Sequence, residues 1–144
     1  MLERPRIYAW TTHALAPGAW RAVRSRIRSE LEAGAGGRSL DVGCGPRPWL
    51  LAAGAFPLGV DVSLGYIRAG RGDGAVGVVA RAEELPFRSG AFGSVWSFGL
   101  LHHLSEDAAR RAIAEAARVS RGRVVVFDGV LPRCAACCPG RAGG

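Results

Sequence analysis

The chain has 144 residues, 49% of them apolar and 22% charged, the profile of one soluble globular domain with a real core and little room for a second. Its formal charge of +7 comes from nineteen basic residues, all of them Arg, and the absence of Lys excludes a phosphate loop of the Walker kind. No aromatic-interleaved basic stripe accompanies the charge, so it reads as a solvated Arg-rich surface, and no nucleic-acid partner is expected.

In chain order, Trp20, Val23, Ile27 and Leu31 recur at helical spacing and predict an amphipathic helix over 17–32, packed on a sheet and ended by Gly34, Gly36 and Gly37. Strand–helix alternation follows. Ser39 to Val42 reads as a strand and Pro48 to Ala53 as a short helix closed by Gly54. Leu58 to Val62 is a second strand, with Ser63 capping a helix through Arg68. Ala75 to Ala80 is a third strand and Phe92 to Phe98 a fourth. Ser105, Glu106 and Asp107 open a helix to about Ser120, with Arg118 near its end as the helix dipole favours. "RVVVF", Arg123 to Phe127, has the composition of a fully buried strand. This alternation predicts right-handed crossovers and a parallel sheet.

The apolar-leaning stretch from Trp49 to Val60 is broken by Gly54, Pro57 and Gly59 and falls short of the roughly 18 residues of a membrane span, so no membrane partner is expected. The opening "MLERPRIYAW" lacks the pattern of a secretory leader, and a cytoplasmic location is expected. Cys134, Cys137 and Cys138 lie in an unpatterned tail with no second ligand pair, so no metal site is expected. The organisation reads as a helical segment over 1–37, a cofactor-binding domain over 38–130 and an irregular tail over 131–144.

The chemistry concentrates in "SLDVGCGPRPWL", Ser39 to Leu50. Gly43 and Gly45 follow a strand, where side chains must be absent if backbone is to press against a ligand. A dinucleotide fingerprint would place Gly or Ala at Pro48, which argues against that class. Asp61 ends the second strand twenty residues after Asp41. A carboxylate there either accepts hydrogen bonds from ribose hydroxyls or caps the next helix, and loop and acid together leave several nucleoside cofactors open.

Four ordered motifs narrow the choice: Leu40-Asp41-Val42-Gly43-Cys44-Gly45, Gly59-Val60-Asp61, Ala82-Glu83-Glu84-Leu85-Pro86-Phe87 and Leu101-His102-His103. Over about 39–132 the chain resembles class I S-adenosylmethionine-dependent methyltransferases, particularly the ubiquinone/menaquinone-biosynthesis-like group. The resemblance implies a Rossmann-like α/β sandwich of strand order 3-2-1-4-5, S-adenosyl-L-methionine as cofactor and a small-molecule methyl acceptor as partner. It further implies that Asp41, Gly43 and Gly45, with Cys44 between them, hold the methionine end of the cofactor. Asp61 would hold the ribose hydroxyls and Val62 would pack on the adenine. The backbone near Ala82 and Glu83 would meet the adenine edge, and Ser97 and Phe98 the sulfonium side. His102 and His103 follow the fourth strand on the ligand side of such folds, where one could be a general base or shape the acceptor site.

Departures from the family are specific. Arg47 stands where a small residue is usual. Arg81 stands where an acid meets the adenine amino group, so Glu83 or backbone carbonyls are expected to substitute. Gly93 replaces an acid and is expected to weaken the start of the fourth strand. The family fold carries two further strands beside the fifth. Only seventeen residues follow Phe127 here, so a C-terminally shortened member is expected, as a truncated or frameshifted reading frame would produce. Its fifth strand would be an exposed edge open to a second copy of the chain, and a catalytically impaired cofactor-binding domain is the alternative to an active methyltransferase.

Overall fold

The computed structural model describes residues 17–32, 37–52, 54, 55 and 57–128. The expectations for Cys134, Cys137 and Cys138 and for the tail lie outside these residues. Helix α1 (Pro17–Glu32) precedes β1 (Ser39–Val42), the single turn α2 (Trp49–Ala52), β2 (Leu58–Asp61) and α3 (Leu64–Gly72). Then come β3 (Val76–Val79), β4 (Phe92–Phe98), a 3-10 turn (Leu101–His103), α4 (Glu106–Val119) and β5 (Ser120–Phe127). The sheet order is β3-β2-β1-β4-β5 and every pairing is parallel, a Rossmann-like sandwich. No helix among the described residues is long and apolar enough to cross a membrane.

Alternation along the strands sorts the core into two layers. Leu40, Val42, Val60 and Val95 point to one face and pack with Ala112, Ala116 and Val119 of α4. On the other face Trp96 packs with Ile27 of α1 and Leu50 of α2. Asp41 lies between Leu40 and Val42 in β1, so its side chain points to this second face.

Two expectations are corrected. The helix after β2 runs to Gly72, because buried Gly70 packs tightly: a Cβ there would stand 3.4 Å from Ala75. β5 is not fully buried. It pairs with β4 alone among the described strands, and Val124 and Val126 stay 38% and 41% exposed. Gly93 is the second residue of β4. It is buried in β4 at a register shift, where its carbonyl would clash with any Cβ on Gly122 of β5, so the strands cross backbone to backbone.

The 80–91 segment is tied to α4 by a charged clamp. The Leu85 N–H donates to Glu115 Oε2 at 2.7 Å, and Arg118 donates to Glu115 and to the carbonyls of Phe87 (2.7 Å) and Leu85 (3.0 Å). Hydrogen bonds from Arg118 hold the Glu115 carboxyl down at about 2, although burial opposes them. Glu115→Ala is expected to cost about 1–3 kcal/mol, read as a lowered Tm. Because the folded-state pKa is depressed, this contribution is complete above the ordinary glutamate range and fades as pH falls toward 2. Wild-type and variant stabilities should therefore converge in acid.

Candidate functional site

β1 leads straight into a loop that folds over the end of β2. The Gly43 and Cys44 N–H groups both donate to the Val60 carbonyl, at 2.7 and 3.0 Å. Gly43 (φ +73°) and Gly45 (φ +61°) adopt left-handed conformations that L side chains resist. A Cβ on Gly43 would press on Leu100 at 3.0 Å, whereas one on Gly45 would meet nothing within 4 Å. The first glycine lets the chain close on itself, and the second leaves open space above the loop. α2 has only one turn, so the loop gains no substantial helix dipole to hold phosphate.

Asp61 ties the loop down. Its carboxylate accepts the Gly45 N–H at 3.0 Å and the Ser63 N–H at 2.8 Å, and the helix cap is Ser63, whose Oγ accepts from the Tyr66 N–H. A carboxylate offers about four acceptor positions, so capacity remains for hydroxyl donors. Asp61 also borders a cavity of about 130 Å³ lined by Gly43, Val62, Arg81, Ala82, Glu83 and Leu100, among others. Whole-ligand sites measure about 300–1,000 Å³, so this cavity suits one ring system, with the rest of a ligand lying over the open loop. Val62 is 69% exposed at its edge, an apolar surface positioned for a flat ring.

Asp41 is fully buried, and neither carboxylate oxygen has a partner among the described residues. Burial first, and the nearby Asp61 second, push its pKa up to about 8. Burial likewise drives the Cys44 thiol upward, beside Asp41 and Asp61, so this cysteine is a protonated packing group. Cys44 lies across Gly59 of β2: a Cβ on Gly59 would come within 2.7 Å of Sγ and 3.2 Å of the Cys44 Cβ. Gly59→Ala is therefore expected to lift the loop, lowering stability by about 1–3 kcal/mol. Melting curves should show part of that loss recovered in Gly59→Ala/Cys44→Ala.

Five of the sequence-predicted residues thus meet around one cavity: Gly43, Asp61, Val62, Ala82 and Glu83. Gly45 is linked to it through Asp61, with Asp41 and Cys44 beneath the loop. Arg81 also borders the cavity and donates to Glu83 Oε1 at 2.9 Å, so the carboxylate expected to replace the family's acid is already partly engaged. Ser97 and Phe98 do not line this cavity. Buried Ser97 faces a narrow apolar cleft against α4, its Oγ without a partner among the described residues, while Phe98 packs on the opposite face with Trp49, Trp96 and Phe127. His102 and His103 form the 3-10 turn after β4, their ring centroids 3.9 Å apart. His102 Nδ1 lies 2.6 Å from Oδ1 of Asp128, an acid that motif reading missed. The signal was its place one residue beyond an apolar strand, on the carboxyl side of a parallel sheet.

The family model described as a methyltransferase domain matches residues 40–127. The chain belongs to that family. Family membership implies S-adenosyl-L-methionine as the cofactor of this methyltransferase domain. The demethylmenaquinone methyltransferase of Mycobacterium marinum is 35% identical over 133 residues, covering 88% of this chain and 56% of the relative. The chain therefore spans about half the length of the curated relatives it matches. Among solved structures, the YcgJ protein of Bacillus subtilis is 25% identical with a TM-score of 0.67, covering 81% of this chain and 54% of its own. The [4+2]-cyclase SpnF is 28% identical with a TM-score of 0.58, over 69% of this chain and 40% of its own. One of these neighbours is thus named for a reaction other than methyl transfer, and chemistry has to be argued from the site.

The residues present fit the implied cofactor. An orphaned buried carboxylate lies under the loop, open space stands above Gly45, and an anchored carboxylate borders a ring-sized cavity.

Proposed function

We propose that this chain binds S-adenosyl-L-methionine at the Gly43–Gly45 loop and catalyses methyl transfer to a small-molecule acceptor. The observation that carries this reading is Asp61, held by the Gly45 and Ser63 N–H groups beside the cavity, its remaining acceptor positions suited to ribose hydroxyls. In this reading Val62 covers one adenine face, and backbone at Ala82 and Glu83 meets the ring edge. The bound cofactor supplies an electrophilic methyl group on a sulfonium. The protein's part is alignment and exclusion of water: Gly43 and Leu100 close one wall, and the Glu115–Arg118 clamp fixes the 80–91 segment that forms another.

Calorimetric titration with S-adenosylmethionine and, separately, with NAD tests the cofactor. Saturable heat with the first and none with the second is expected, and the reverse would overturn the reading. Turnover against quinol, phenol and small-acid acceptors then separates an enzyme from a domain that binds without catalysing.

A further inference from the structure

β5 forms one edge of the sheet, pairing with β4 alone among the described strands, and it is apolar on both faces. Val124 and Val126 line a narrow cleft with Ala112, Ile113 and Ala116 of α4, while Val125 and Phe127 pack around Trp96 on the α1 side. One contact fixes which backbone groups face outward. The Gly99 N–H donates to the Phe127 carbonyl at 2.7 Å, so Phe127 turns its main-chain groups toward β4. These groups alternate sides along a strand. Arg123 and Val125 therefore also face β4, and the N–H and C=O of Val124 and Val126 face the open edge. The two residues with exposed apolar side chains thus also carry the edge's outward hydrogen-bonding groups.

From Val124 to Phe127 the edge holds neither charge nor proline, so it lacks the usual blocks to pairing with another strand. The chain's own residues 131–144 are a poor match for it: they hold Pro132 and Pro139 and no β-branched or aromatic side chain. β5 is a good match for itself. In an antiparallel pair centred on Val125, Val124 of each copy lies opposite Val126 of the other, and each such pair exchanges both main-chain hydrogen bonds. The valines of the two copies then form one stripe beside the exposed Ile113 of each. Charge selects the same direction. Arg121 and Arg123 lie in the first half of β5 and Asp128 follows its end, so antiparallel pairing sets the basic end of one strand beside the acidic end of the other. Parallel pairing would stack Arg on Arg.

We propose that β5 is the contact surface for a second copy of this chain, joined antiparallel across a twofold axis at Val125 so that the two sheets become one. The carboxyl ends of the two sheets then point in opposite directions, and the two Asp61 cavities open on opposite sides of the assembly.

The test uses the full chain. Sedimentation should give a mass that rises from one chain to two with concentration, and NMR-detected amide exchange at Val124 and Val126 should slow over the same range. Val126→Lys puts charge into the valine stripe and should raise the dissociation constant by about tenfold or more. Val126→Pro removes an N–H that faces away from β4, and it should also dissociate the pair. Both variants should keep the wild-type far-UV circular dichroism; should either unfold, the wild-type exchange pattern decides alone. A monomer at every concentration or a dimer that survives Val126→Lys would overturn the proposal. So would protection of Val124 and Val126 that does not vary with concentration, which would mean that a segment of the same chain covers the edge.

Discussion

Asp61→Ala is expected to weaken S-adenosylmethionine binding by at least 100-fold, the largest single-residue effect on affinity. Two losses combine. Hydrogen bonds to a charged acceptor are worth about 1.5–3 kcal/mol each, and the ribose hydroxyls would lose theirs. The Gly45 and Ser63 N–H groups would also lose their shared acceptor, releasing the loop and the start of α3 together. Asp61→Asn separates the contributions: it retains one side-chain acceptor, so it should lose affinity while melting closer to wild type. Calorimetry on the three proteins would read both, and equal affinity in Asp61→Ala would show that the ligand lies elsewhere.

The second large effect concerns pH and Asp41. Its folded-state pKa of about 8 lies well above its ordinary value of 3.8, so between those limits the folded protein binds a proton that the unfolded chain releases. Stability of the cofactor-free protein should consequently be highest below pH 4 with respect to this group and decline as pH rises toward 8. Every tenfold difference in proton affinity between the folded and unfolded chain is worth about 1.4 kcal/mol, so the full effect amounts to several kcal/mol. Asp41→Asn should flatten the profile and raise Tm at pH 8. Binding of a cationic ligand should draw the proton off, giving a calorimetric heat that varies with the ionisation enthalpy of the buffer. Parallel pH profiles for wild type and Asp41→Asn would refute the linkage.

The parallel sheet was legible because β-branched runs and turn residues alternate at crossover spacing. β4 was read to the residue, its alternating pattern having no competing signal. α3 was under-read because Gly70 and Gly72 look like helix stops, and only the tertiary contact with Ala75 shows why Gly70 remains helical. The start of β5 was hidden for a related reason: Ser120 and Gly122 carry no strand signal, yet the close crossing at Gly93 requires the glycine. At the site, motif spacing brought out Asp61, Val62 and Glu83 because each lies at or just beyond a strand end on the side of the sheet where the cavity opens. Motif spacing carries no information about dielectric, so Asp41 was legible as a loop acid but not as a buried, unpartnered one. Nor does it register pairs far apart in the chain, which is why His102 was noticed and Asp128 was not.

Gly59 and Gly77 face each other across β2 and β3, and each is covered by one side chain, Cys44 from the loop and Ile67 from α3. The sheet is thus locally one side chain thin, and those two residues act as spacers that set how deep the loop and helix settle. Depth there is a dimension that selection can adjust by a methyl group at a time. Cofactor affinity could in this way drift, or be engineered, through the packing beneath the loop.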